Sequence, residues 1–248
     1  DRDPRFYHDI VFDGFHYVIN TEPLNADQKK LEYCQLYSNA AMRSVDNGSS
    51  TGYFIQKLVP HQCNEGDKWY DWDHALQGYL PYMRLADIYL VYAEAVAATA
   101  KSVGALKSRT EYCSLSAVAA INALRDRVNS ADFPMEHVQA NLMDTREHFM
   151  DEVRRERAVE LSFEGFRWCD LQRWLLLTEP PYTVKYSHEF ERLEKDSWFK
   201  THDPKDAKIG NFHKKELITR DFDAKHYWFP LPDKDTYLYE GFPQNPGW

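Results

Sequence analysis

Apolar residues recur at helical spacing in three stretches of this chain. From Tyr82 to Lys101 the sequence is apolar almost all round, with Arg84, Asp87 and Glu94 charged within it. That pattern predicts a helix buried on several sides. Tyr112 to Asn129 carries a narrower stripe of Val118, Ile121 and Val128, with Ser114 or Ser116 placed to cap it. Gly104 lies in the connection, and Ala93, Ala97, Ala119 and Ala120 are small enough for the two helices to approach closely. The pair reads as a hairpin of the tetratricopeptide type, without a second copy in the chain. Asp144-Thr145-Arg146-Glu147 has capping-box spacing and opens a third helix that Gly165 is placed to end; Phe166 to Leu177 resumes as a short amphipathic helix before Pro180-Pro181.

The third helix holds more charge than a core helix ordinarily hides. On a helical wheel Phe149, Met150, Val153 and Leu161 share one side, and Arg157 and Glu160 fall among them. A buried charge is tolerated when it is paired and hydrogen-bonded, so both are expected in the interior, tied to neighbouring helices. Arg84 and Asp87 are expected to join them as structural ion pairs. Arg154, Arg155 and Arg157 alternate with Glu152, Glu156 and Glu160, which favours internal ion pairing over a partner-binding face.

The remainder lacks a sustained period. His8 to Phe12, ended by Asp13-Gly14, and Gly52 to Leu58 read as two short strands, and Ala26 to Met42 holds a short helix. Tyr182 to Lys225 reads as a long surface excursion, followed by an apolar rise at His226 to Pro232 and an extended end at Pro243 to Trp248. The fold class is therefore all-α: a helical scaffold with long irregular insertions and a few short strands. Residues 1–81 form a loop-rich aromatic region, 82–178 the helical core and 179–248 a segment packed on that core, one domain overall.

Bulk properties narrow the function. The 248 residues are 43% hydrophobic and 15% aromatic, enough for a real core. A net charge of -9 and pI near 5.6 argue against nucleic acid as a partner. Cys34, Cys63, Cys113 and Cys169 have no CxxC spacing, so free thiols are the default, with a Cys34–Cys63 bridge left open. The ten histidines are scattered. No cofactor or metal is expected, and a structural calcium has no DxDxDG-like loop to hold it. No apolar run is long enough to span a membrane. The start at Asp1-Arg2-Asp3-Pro4, without methionine or signal peptide, is expected of a processed product or a fragment.

One polar-aromatic cluster stands out at Lys68 to His74. Trp69, Tyr70 and Trp72 offer ring faces for pyranoses, and Asp71 and Asp73 accept from sugar hydroxyls. The same rings equally serve to pin a loop on the helical core. Asp71 and Asp73 are conceivable as a glycosidase pair, though no separate base or nucleophile motif accompanies them.

Three features in order resemble the SusD/RagB family of Bacteroidota outer-membrane lipoproteins. They are Tyr82 to Ala95; Arg154-Arg155-Glu156-Arg157 running through Glu160-Leu161 into Glu164 to Trp174; and Phe229-Pro230-Leu231-Pro232 with Gln244 to Trp248. Asp3-Pro4-Arg5-Phe6 and Thr51-Gly52-Tyr53 also look like this family. The match covers the C-terminal half of such a protein; the family's lipidated cysteine and first helix pairs have no counterpart here, so the N-terminal half is expected to be missing or on another chain. The resemblance implies a SusD-like, non-catalytic subunit at the extracellular face of the outer membrane, held there by a lipid on that missing part. It implies a role capping a SusC-like TonB-dependent transporter and capturing oligosaccharides, or peptides in the alternative reading of an oligopeptide-binding lid. At the level of region only, it points to Tyr53, Trp69, Tyr70 and Trp72 as ligand contacts.

Overall fold

The computed structural model describes residues 2–18, 25–44, 46, 48–59, 80–238 and 241–248. Contacts divide the chain into two units that interleave in sequence: Asp1–Val11, Tyr17–Glu32 and Phe54–Phe166 form the first, and Phe12–His16, Tyr33–Tyr53 and Arg167–Trp248 the second. These divisions fall at other residues than the composition boundaries at 81 and 178.

The first unit opens with α1 (Pro4–Asp9) and β1 (Ile10–Val11). Asp3 accepts from Arg5 N at 3.0 Å and Pro4 occupies the first turn, a standard helix start, so the strand read from His8 is reduced to two residues. α2 (Ala26–Leu31) is the short helix expected between Ala26 and Met42, and a 3-10 turn follows at Ala41–Arg43 in the second unit. β2 (Phe54–Ile55) pairs antiparallel with β1, Ile10 opposite Ile55.

α3 (Leu85–Thr99), a single turn α4 (Val103–Leu106) and α5 (Ala117–Val128) make the helical hairpin, and α6 (Arg146–Glu160) packs on α3. Their common core holds Ala93, Ala97, Ala117 and Ile121 against Phe149 and Val153; a second cluster gathers Leu90, Leu124 and Leu161. Alanines on facing positions let the backbones close up while keeping high helix propensity. Ser116 caps α5 by accepting from Ala119 N at 3.1 Å. α6 is capped one residue later than the spacing predicted: Thr145 Oγ1 accepts from His148 N at 3.0 Å, and Asp144 instead meets His148 Nδ1 at 2.6 Å. The helix ends at Glu160, before Gly165, which lies in the following turn with φ +87°. α3 is not buried on several sides: Leu85, Ile88 and Val91 are 63%, 45% and 49% exposed, and its alanine side alone meets α5 and α6.

The second unit contains α7 (Phe166–Arg173) from Arg167 onward, β3 (Val184–Arg192), the turn α8 (Asp196–Phe199), β4 (Ile209–Thr219) and α9 (Asp233–Thr236). Where the sequence reads as an aperiodic excursion, β3 and β4 pair antiparallel, with Ser187 opposite Lys215 and His188 opposite Lys214. Two register shifts, at Lys185/Tyr186 and Glu189/Glu191, break the alternation, and all of β4 except Gly210 is exposed. A strand with no buried face leaves no period-2 signal to read. Cys34 is buried as a free thiol whose pKa burial pushes up to about 12, while Cys63 lies outside the described residues.

Candidate functional site

α6 places a row of carboxylates in the interior of the first unit, and cations from other segments meet them. Arg157 and Glu160 are 5% and 2% exposed. Arg157 Nη1 donates to Asp87 Oδ1 at 2.5 Å, and its guanidinium lies 5.3 Å from the Phe166 ring centroid. Glu156 accepts from Arg5 Nη1 at 2.7 Å and Arg125 Nη2 at 2.9 Å; Arg125 also reaches Glu152. Glu160 receives three guanidinia: Arg5 Nη1 at 2.9 Å, Arg84 Nη1 at 3.0 Å and Arg127 Nη2 at 2.7 Å. Such pairs add little net stability over an apolar core, but loss of one partner costs about 3–5 kcal/mol because the other charge is left buried.

The network continues to the surface. Arg84 grips Glu164 with Nε at 2.9 Å and Nη2 at 2.6 Å, and Lys57 Nζ donates to Glu164 at 2.8 Å and to the Glu160 carbonyl at 2.7 Å. Burial raises the Glu164 carboxyl, but the hydrogen bonds from Arg84 and Lys57 outweigh it and hold the group below the usual carboxylate range. Glu164 is thus a fixed anion, the opposite of the raised, protonated carboxyl that a glycosidase acid requires.

This ionic surface floors a cavity of about 740 Å³ bounded by α1, the residues after β2, the start of α3 and the end of α5. Its size is that of pockets that hold small ligands. Tyr7, Leu58, Val128 and Phe133 supply apolar surface. The Tyr7 and Phe133 rings lie 5.0 Å apart at 31°. The sequence named Arg5 only within Asp3-Pro4-Arg5-Phe6 and did not single out Lys57, Arg127, Tyr7 or Phe133. Lys57 and Arg127 lie in the strand and helix read at Gly52 to Leu58 and Tyr112 to Asn129, but a local period does not show that they converge on one cavity; Tyr7 and Phe133 sit in segments without a local pattern.

Of the residues read as ligand contacts, Trp69, Tyr70, Asp71, Trp72 and Asp73 lie outside the described residues. Tyr53 lies in the second unit, edge-on to His188 at 5.5 Å, with His188 in turn 5.2 Å from Phe212. Its turn is held by Ser49, whose Oγ accepts from Gly52 N at 3.1 Å and Tyr53 N at 3.0 Å. Gly52 has φ +93°, and a Cβ there would come within 2.5 Å of Arg43 Nη1, so the position requires glycine. Arg43 reaches Glu189 Oε1 at 2.5 Å and Ser187 Oγ at 2.7 Å; burial raises the Glu189 carboxyl, but the Ser187 and Ser38 hydroxyls and Arg43 bring it below the usual range. A second aromatic contact in this unit sandwiches the Arg192 guanidinium between Tyr37 and Phe199, 4.9 Å from each centroid.

Among the described residues no group of His, Cys, Asp and Glu is arranged to hold a metal ion, and no helix is long and apolar enough to cross a membrane.

No curated protein matches the sequence. Among solved structures, a SusD-like protein from Bacteroides fragilis NCTC 9343 is similar over all of this chain and 39% of its own, at 24% identity and TM-score 0.67. A SusD-like carbohydrate binding protein from the same organism is similar over 96% of this chain and 41% of its own, at 22% identity and TM-score 0.57. The chain thus spans about two fifths of the length of these relatives, whose likeness fixes the fold. The family model described as the SusD family matches residues 1–248, and the chain belongs to that family.

Proposed function

We propose that this chain forms part of a non-catalytic, cell-surface oligosaccharide-binding subunit that caps a SusC-like TonB-dependent transporter and hands it nutrient. The observation that carries the reading is the match to the SusD family along the whole chain. The relative named a carbohydrate binding protein supports the ligand class. In this reading the α3–α5 hairpin is a tetratricopeptide-type unit, and the lipid anchor and remaining helix pairs lie on an N-terminal part beyond these residues or on another chain. Arg84, Asp87, Arg157 and Glu160 hold the scaffold, while Trp69, Tyr70, Asp71, Trp72, Asp73 and Tyr53 contact sugar: rings on pyranose faces, carboxylates on hydroxyls. Each ring adds on the order of 1 kcal/mol beyond its area burial.

The test is a binding panel of neutral and acidic oligosaccharides and peptides, run on the chain and on the double variant Trp69→Ala, Trp72→Ala. Oligosaccharide binding that the double variant loses is the expected result. Binding left intact removes the rings from the site, and binding of peptides alone assigns the chain to a peptide-importing lid. Capture of a large β-barrel chain with the natively purified protein tests the transporter role.

A further inference from the structure

Among the described residues the wall of the 740 Å³ cavity carries the cations Arg5, Lys57, Arg84 and Arg127 and the carboxylates Asp9, Glu160 and Glu164, with Asp3 and Glu156 also paired to Arg5. Most of these cations have their donors engaged. Lys57 is held by Glu164 and the Glu160 carbonyl, Arg84 uses Nε, Nη1 and Nη2 on Glu160 and Glu164, and Arg5 divides itself between Asp3, Glu156 and Glu160. Arg127 differs. Its Nη2 alone is bound, 2.7 Å from both oxygens of Glu160, its side chain is 51% exposed, and Nε and Nη1 carry no hydrogen bond among the described residues.

We propose that this cavity binds the carboxylate of an acidic saccharide, a uronate residue, through Arg127, with the sugar's apolar face against Tyr7 and Phe133. A carboxylate reaching Nε or Nη1 makes a hydrogen bond in which donor and acceptor are both ionised, adding a Coulombic attraction that an ester or hydroxyl oxygen on the same guanidinium lacks. The ring pair provides the stacking surface a pyranose needs, on a cavity wall that also carries Leu58 and Val128. The proposal rests on the saccharide reading above and adds to it a ligand class and contact residues beyond Tyr53 and the Lys68–His74 cluster.

Calorimetry on the full chain with tri-galacturonate, its methyl ester, neutral galactotriose and a tripeptide with a free carboxyl tests it. The acid is expected to bind about tenfold or more tightly than ester or neutral sugar, and Arg127→Gln to reduce it to their level. Equal affinity for acid and ester, on the unaltered protein, overturns the proposal whatever the variant does to folding. So does an acid preference that survives in a folded Arg127→Gln variant. Binding of the tripeptide as tight as that of the uronate overturns the ligand class. If neutral oligosaccharides bind and the uronate gains nothing, the general function stands and this inference fails; if no saccharide of the wider panel binds, both fall.

Discussion

Glu164 shows how a charge can be partly hidden and still ionised. Its oxygens lie 2.6 and 2.9 Å from Arg84 nitrogens and 2.8 Å from Lys57, contacts that offset the desolvation it suffers. Glu152 is held in the same way: burial raises it, and Arg155 and Arg125 lower it further than burial lifts it. A carboxyl whose folded pKa is depressed contributes stability above its unfolded value, and the contribution is lost as pH falls through the folded one. Urea unfolding is therefore expected to change little from neutral pH down to about 5 and to weaken below the ordinary glutamate value of 4.5. Glu164→Gln should show a shallower acid slope than the parent, and an identical slope would mean that this carboxyl takes no part. The wheel that placed Arg157 and Glu160 among apolar neighbours could locate them but not their partners: Asp87, Arg5 and Arg127 are distant in sequence, and no local period links them to α6.

The elements were legible wherever one face is buried and one is not. α5 and α6 carry an apolar stripe, a capping hydroxyl and a clean end, and the chain forms them within a few residues of where the pattern puts them. α1 hid behind a short apolar run, and β4 behind its own exposure, since a strand without a core face looks like a loop. α3 misleads in the other direction. Its apolar residues cover the whole wheel, yet Ala93 and Ala97 are fully buried whereas Ile88 and Val91 are 45% and 49% exposed. The two sides should therefore respond differently. Ala97→Leu overpacks the seam with α5 and α6 and is expected to cost about 1–3 kcal/mol. Ile88→Ser is expected to shift stability by no more than about 0.5 kcal/mol. Denaturant midpoints with unchanged m-values decide this, and a larger loss at Ile88 would place that side chain in a packed interface.

Across the whole chain, motifs carried the family and spacing carried the helical core, whereas the cavity was invisible. It assembles from α1, the segment after β2, α3, α5 and the turn after α6, which no single stretch of sequence displays together. The thiols offer a readout of global opening. Cys34 is buried with its pKa near 12, Cys113 is half-buried and Cys169 exposed. Iodoacetamide at neutral pH is expected to label Cys169 readily, and Cys34 only once urea unfolds the second unit. Mass spectrometry after brief labelling checks this, and rapid modification of Cys34 under native conditions would contradict its burial.

The convergence on α6 also has a bearing on how the molecule is made. Arg5, Lys57, Arg84, Asp87, Arg125 and Arg127, which meet the charges of α6 and of Glu164 just beyond it, all precede that helix in the chain. During synthesis from the N-terminus, the acidic helix is therefore delivered after these partners, which already exist when it emerges. Its carboxylates need never wait, stripped of water, for a counter-ion still to be translated.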